Sequence, residues 1–216
     1  MGTESDGITS AEQEPTLARE LFGDRLDLAR RYTDDLITRG EELGLIGPLE
    51  LPRIWTRHIV NCALVAPLLR PGVVGDIGSG AGLPGIVLAV ARPDVDFVLI
   101  EPMERRVAWL EKQRENLGLE NVRVVRARAE EYRGEAQLDQ VTARAVSAFA
   151  KLVPLCAPLL KPGGEMVLMK GAGAAREIDS AEKAIRRFKL TGVEVLELGA
   201  EHGVEITRVI RASLPA

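Results

Sequence analysis

After a polar, acidic opening, MGTESDGITSAEQEP, apolar residues begin to recur at helical spacing: Leu21, Leu28, Tyr32, Leu36 and Leu43, until Gly44, Gly47 and Pro48 end the pattern. A second helix is predicted to start at Pro52 and run through IWTRHIVNCALVAPLL to the break at Arg70, Pro71 and Gly72. From Val73 the period changes. Short apolar runs follow at 73–78 (VVGDIG), 96–101 (DFVLIE), 122–127 (VRVVRA), 139–146 (DQVTARAV), 165–170 (EMVLMK), 193–198 (VEVLEL) and 205–211 (EITRVIR). Amphipathic stretches lie between them, such as MERRVAWLEKQRENLGL with Val107, Leu110 and Leu117 on one face. Strand and helix in alternation predict an α/β fold, a doubly wound and mostly parallel seven-stranded sheet with helices on both faces. The last two runs have no long helix between them, so one of them is expected to run antiparallel. The pattern divides the chain into a disordered tail (1–15), an N-terminal helical extension (16–70) and an α/β domain (71–216).

Composition narrows the setting. With 216 residues the α/β portion can bury a full core, and the two cysteines, Cys62 and Cys156, match no metal-ligand or CxxC spacing and sit in apolar runs that suit core packing. No metal site is expected, and a reducing, cytoplasmic setting follows. The N-terminus has no apolar h-region and later apolar runs are too short to span a bilayer, so neither a leader nor a membrane is expected. A net charge of −4 argues against coating nucleic acid through bulk electrostatics, but basic residues cluster locally at Arg53, Arg57 and His58, at Arg105 and Arg106, at Arg123, Arg126 and Arg128, and at Lys161 and Lys170.

The chemistry concentrates in VGDIGSGAGLPGI at 74–86. In a doubly wound sheet, ligands bind beyond the carboxyl ends of the strands, which makes the loop after the first strand the place to look. Gly78, Gly80 and Gly82 let the backbone turn sharply and approach a ligand closely, and Gly80, Gly82 and Gly85 satisfy the dinucleotide pattern GxGxxG literally. Asp76 places an acid just ahead of the glycines, which disfavours a pyrophosphate and favours a cationic sulfonium amino acid. Glu101, at the end of the next strand, can accept both hydroxyls of an adenosine ribose, a feature that nicotinamide and S-adenosylmethionine sites share. LLKPGGEMVLMKG at 159–171 adds a helix end, a Pro-Gly-Gly turn and a fifth strand, which dehydrogenases do not require.

Asp76 to Gly82, Glu101 and KPGG, in this order and spacing, resemble the class I S-adenosylmethionine-dependent methyltransferases over roughly residues 70 to 200. The Asn/Asp-Pro-Pro-aromatic clamp of amino-group methylation is absent, since the fourth strand reads DQVTARAV, and neither cysteine sits where a C5 nucleophile would. Nucleophiles that carry their own lone pair remain, guanine N7 among them, and these need positioning rather than a general base. RIWTRHIVNC, DIGSGAGLPGIVLA, the basic pair in EPMERRVAWL, the RARAEE turn, TARAVS and LLKPGGEMVLMKG resemble, from about residue 52 to the end, the 16S ribosomal RNA guanine-N7 methyltransferases, the small-subunit methyltransferase G (RsmG or GidB) family. That resemblance implies a Rossmann-like enzyme using S-adenosyl-L-methionine on 16S ribosomal RNA or the small ribosomal subunit, with no protein partner evident. It implies that Gly78 and Leu83 line the cofactor, that Ala129 and Glu130 flank its adenine, that Arg144 reaches the same site, and that His58, Arg105, Arg106, Arg128 and Lys170 face the RNA or the target guanine. One stretch departs: many family members carry an Asn-rich WNxxxNLT segment before the RH pair, whereas this chain reads ELGLIGPLELPRIW. The rival readings are a small-molecule methyltransferase sharing the cofactor motifs and a non-catalytic RNA-binding assembly factor.

Overall fold

The computed structural model describes residues 10–134 and 137–216. Its strands are β1 (Val73–Ile77), β2 (Asp96–Ile100), β3 (Val122–Val125), β4 (Leu138–Arg144), β5 (Leu160–Lys170), β6 (Thr191–Leu198) and β7 (Thr207–Ser213). They form one seven-stranded sheet in the order β3-β2-β1-β4-β5-β7-β6. Strands β1 to β5 pair in parallel, and β7 runs antiparallel between β5 and β6, so the reversed strand is the last one. The order reverses between β1 and β4, and the loops leaving those two strands open side by side at the carboxyl edge.

Alternation along each strand feeds two cores. Phe97 and Leu99 of β2 and Val167 and Met169 of β5 face one side; Val98, Ile100, Met166 and Leu168 face the other. The second face is covered by α6 (Phe149–Cys156), α7 (Ala174–Ser180) and α8 (Glu182–Phe188). The first carries α4 (Gly85–Ala91) and α5 (Glu104–Leu117) together with the described helices that precede β1. There, α1 (Leu17–Phe22) and α2 (Leu26–Arg39) bury Phe22, Tyr32 and Leu36 in the same cluster as Val74 and Leu88, so this region shares the core of the sheet.

Three departures from the sequence reading have local causes. The predicted helix over 16–43 is broken at Gly23, whose φ of 51° ends α1 before a short 3-10 turn leads into α2. The helix predicted from Pro52 is a π-helical stretch, Ile54–Val60, continued by α3 (Asn61–Ala63) and a 3-10 turn at Ala66–Leu68. The expected Pro-Gly-Gly turn is absorbed into β5, where the register against β4 shifts and Gly163 takes a φ of 69°.

Residues 10–15, assigned above to a disordered tail, are held in place. The Glu12 carboxylate accepts from the Thr56 N–H at 2.9 Å, and Glu14 meets the Arg30 guanidinium at 2.5 Å. Polar contacts to residues 44 and 16 positions away give no apolar periodicity by which they could be read. The rest of that tail, 1–9, lies outside the described residues. No described helix is long and apolar enough to cross a membrane.

Candidate active site

The glycine loop leaves β1 through positive φ values at Gly78 (69°), Gly80 (57°) and Gly82 (100°). A Cβ on Gly82 would lie 2.5 Å from Ile86 Cγ1 and 3.1 Å from the Tyr32 hydroxyl, so only glycine fits between the loop and its support. The loop is then held from three sides. The carbonyl of Ala81 accepts from Tyr32 Oη at 2.9 Å and from Trp109 Nε1 at 2.7 Å, donors brought by α2 and α5. Burial pushes the Tyr32 hydroxyl well above its usual pKa, which keeps it a donor. On the other side Glu101, 2% exposed, accepts from Gly80 N–H and from Met103 N–H, both at 2.9 Å.

Asp76 is the acid expected to bring a negative charge close to a bound cationic ligand. Its side chain is fully buried beneath the turn; Oδ2 accepts the Gly85 N–H at the start of α4 at 3.0 Å, and Oδ1 has no partner among the described residues. Burial raises its pKa to about 7, with help from the negative charge of Glu101 and against the opposing hydrogen bond from Gly85, while the Ser79 hydroxyl donates to the Asp76 backbone carbonyl at 2.9 Å. Strand alternation turned the carboxylate inward. It stands behind the loop, where a cation bound in front would favour its ionised form.

Three cavities open at the carboxyl edge of the sheet. One of about 780 Å³ has apolar walls from Ile77, Ile100, Ala127, Ala129 and Leu155, with Glu130 at its rim. A second of about 590 Å³ runs along Gly78, Gly80 and Leu83 to Glu101, His58, Arg106 and Arg144. They share Gly78, Pro102, Met103 and Val146, forming one cleft in two halves. The residues fit S-adenosylmethionine: an apolar slot for a flat heterocycle, a carboxylate between the halves for ribose hydroxyls, and a glycine cradle backed by the buried Asp76 with its unpaired oxygen. The third cavity, of about 720 Å³, is walled by Arg57, Asn61, Arg144, Lys170 and Arg208. Val146 lines all three cavities and Arg144 lines two.

Arg144 ends β4 and is followed by Ala145 at φ 55°, a left-handed conformation that turns the chain abruptly between the second and third cavities. Its guanidinium donates to His58 Nδ1 at 2.8 Å and to Cys62 Sγ at 3.2 Å. His58 is 7% exposed, and its Nε2 lies 2.7 Å from Glu50 Oε2. Burial and the Arg144 charge hold the imidazole below its usual pKa, outweighing Glu50. Burial pushes Glu50 up, yet the His58 hydrogen bond and the charges of Arg57 and Arg53 bring it below the usual carboxylate value.

The remaining candidates separate. Arg106 lines the cleft, whereas the guanidinium of Arg105, its neighbour on α5, lies by Gly44. Arg128, assigned by resemblance to the RNA face, lies on the wall of the first half of the cleft with Ala129 and Glu130. Lys170 lines the third cavity, yet its side chain is only 6% exposed and its ammonium is occupied, donating to Ser147 O at 2.5 Å and pairing with Glu177 at 2.9 Å. Glu177 also accepts from Phe149 N–H at 2.7 Å, so this pair straps the loop that follows β4. Gly82 lines none of the cavities and acts behind the loop. Sequence reading missed Glu50, Tyr32, Trp109, Val146 and Glu177. Tyr32 carried a signal, as the one aromatic among the leucines of its helix, whereas the others become visible only once distant segments meet. Among the described residues, no group of three or more His, Cys, Asp or Glu is placed to hold a metal ion.

Comparison with known proteins agrees with this geometry. A chain from Clavibacter sepedonicus named ribosomal RNA small subunit methyltransferase G is 68% identical over 204 residues, 94% of this chain and 97% of that one. Its namesake from Leifsonia xyli is 66% identical over 205 residues, 95% and 98% of the two chains. In fold, the crystal structure of P. horikoshii TYW2 in complex with MeSAdo superposes with a TM-score of 0.59 at 15% identity, over 74% of this chain and 63% of the other. The family model described as GidB, rRNA small subunit methyltransferase G, matches residues 25–205, and the chain belongs to that family.

Proposed function

We propose that the chain methylates N7 of a guanine in 16S ribosomal RNA at the expense of S-adenosylmethionine. The observation that carries this reading is the meeting of the cofactor-shaped cleft and the third cavity at Arg144, Ala145 and Val146, which gives two ligands one shared boundary. Relatives that are two-thirds identical bear the name of a small-subunit ribosomal RNA methyltransferase. S-adenosylmethionine, when bound, supplies an electrophilic methyl group on a sulfonium centre.

The work left to the protein is positioning. Guanine N7 has an available lone pair, so no residue has to remove a proton before attack, and holding the reactants in line is worth about 7 to 11 kcal/mol. Each oxygen of the Glu101 carboxylate accepts one backbone N–H and keeps a second lone pair for a ribose hydroxyl, and the apolar slot bounded by Ala129 is placed to take the adenine. Arg144 spends two donors on His58 and Cys62 and keeps others for an acceptor in the third cavity, where guanine O6 sits beside N7. Donors directed at O6 select guanine over adenine, which presents an amino group there. The base has to enter this cavity unstacked.

The test is incubation of the purified protein with labelled S-adenosylmethionine and either naked 16S RNA or isolated small subunits, followed by mass-spectrometric mapping. Label in 7-methylguanine at one site supports the proposal. Label found only in small metabolites, with RNA inert in both forms, overturns it in favour of the small-molecule reading.

A further inference from the structure

We propose that Glu50 is a positioning residue that acts through His58 to fix the guanidinium of Arg144 at the boundary between the cofactor cleft and the third cavity. The inference rests on the methyl-transfer reading above and assigns a task to the segment in which this chain departs from the family's Asn-rich pattern.

A guanidinium carries donors and no acceptor, so the 2.8 Å contact between Arg144 and His58 Nδ1 requires that nitrogen to present its lone pair. The ring proton then resides on Nε2, which donates to Glu50 Oε2 at 2.7 Å. A carboxylate with a histidine proton thereby selects the tautomer that can receive the arginine. Without Glu50, a ring that is only 7% exposed has no acceptor for Nε2–H, and the tautomer with the proton on Nδ1 becomes competitive. That tautomer sets a donor against a donor and releases Arg144.

The backbone on either side is shaped for the same contact. His58 rides on the π-helical stretch Ile54–Val60, whose wider turn recurs frequently at functional sites, and Arg144 precedes the left-handed Ala145. The charged groups facing the ring are Glu50 from the 3-10 segment Pro48–Arg53, Arg57 from its own helix and Arg144 from β4. Burial and Arg144 together keep the ring neutral, as the relay requires.

The experiment uses the full chain with Glu50→Ala and Glu50→Gln. The amide of Gln retains an oxygen for Nε2–H but loses the charge that faces Arg57 at 3.1 Å, so rescue by Gln assigns the effect to the histidine. Nitrogen-15 spectra report the tautomer directly, and His202, the other of the two histidines, is exposed and serves as an internal reference. In the unmodified chain His58 is expected as the Nε2–H form. Glu50→Ala is expected to give mixed tautomers and about a tenfold lower kcat on the RNA substrate, with S-adenosylmethionine affinity within about twofold, and Glu50→Gln to recover both readouts. An alanine variant whose histidine keeps the Nε2–H form, or whose kcat is unchanged, overturns the proposal. So does a loss of cofactor affinity as large as the loss of kcat. If the unmodified chain fails to methylate RNA, the substrate reading falls, while the tautomer shift still decides whether Glu50 governs the ring.

Discussion

Replacing Asp76 with asparagine removes a charge from a site where the folded chain offers little compensation. The carboxyl is fully buried, one oxygen is unpaired, and its pKa is raised from 3.8 to about 7. The folded state therefore holds the proton more tightly than the unfolded state, by about three pKa units. At about 1.4 kcal/mol per unit, the ionised form costs the folded chain about 4 kcal/mol at pH 8. The sign follows: this group's contribution is most favourable below pH 4, where it is protonated in both states, and declines as the pH rises through 7. Asparagine does not titrate. It sets an N–H where the unpaired oxygen stood, which adds a constant offset but no slope. Urea unfolding at a series of pH values from 5 to 8 is expected to show the Asp76→Asn variant gaining on the parent by a few kcal/mol toward the alkaline end. Parallel curves across that range would refute the reasoning, because they would mean that Asp76 ionises as easily folded as unfolded.

Tyr32→Phe removes one of two donors to the Ala81 carbonyl and is expected to cost about 1 kcal/mol in thermal denaturation, and Trp109→Phe removes the other and also leaves a cavity at a buried site, so it is expected to cost more. The double variant leaves that carbonyl without either side-chain donor and should cost more than the sum; strict additivity would show that the donors do not share their acceptor. Gly82→Ala forces a Cβ to 2.5 Å from Ile86 at a φ of 100°, so a loss of about 1 to 3 kcal/mol and weaker S-adenosylmethionine binding by calorimetry are expected, and wild-type values in both would contradict the packing described. Lys170→Met removes the strap to Ser147 and Glu177 and should lower stability and turnover while leaving the salt dependence of RNA binding unchanged; a slope reduced by about one would return Lys170 to the phosphate contacts.

Much of the fold was legible because a buried parallel strand is a continuous apolar run. Each of the runs from Val73 onward lies on an observed strand to within a few residues, and the missing helix before the last run foretold the antiparallel β7. The helices before Val73 were legible as helical matter but not in their breaks, since a single Gly23 and a π-helical stretch leave the apolar spacing almost intact. At the site, residues that act through local backbone, such as Gly78 and Gly80, or at strand ends, such as Glu101 and Arg144, could be placed on the cleft from their positions along the chain. Residues whose meaning depends on distant partners could not. Sequence does not reveal which way a strand-end side chain turns, so the burial of Asp76 beneath the loop could not be read, nor could the pairing of Lys170 at the end of β5 with Glu177 on α7. Glu50 gave no sign, since its partner His58 and that residue's partner Arg144 lie 8 and 86 positions apart in the chain.

The carbonyl of Ala81 has a consequence for how this protein can be cut or joined. Its two side-chain donors come from residue 32 and residue 109, so the loop that would cradle the cofactor is clamped by helices on opposite sides of it in the sequence. The segment before β1 is consequently no removable cassette. A minimal version beginning near residue 70, or a chimera that exchanges the first helices for those of another protein, would keep the glycine sequence intact yet lose one of the two hands that hold it in shape.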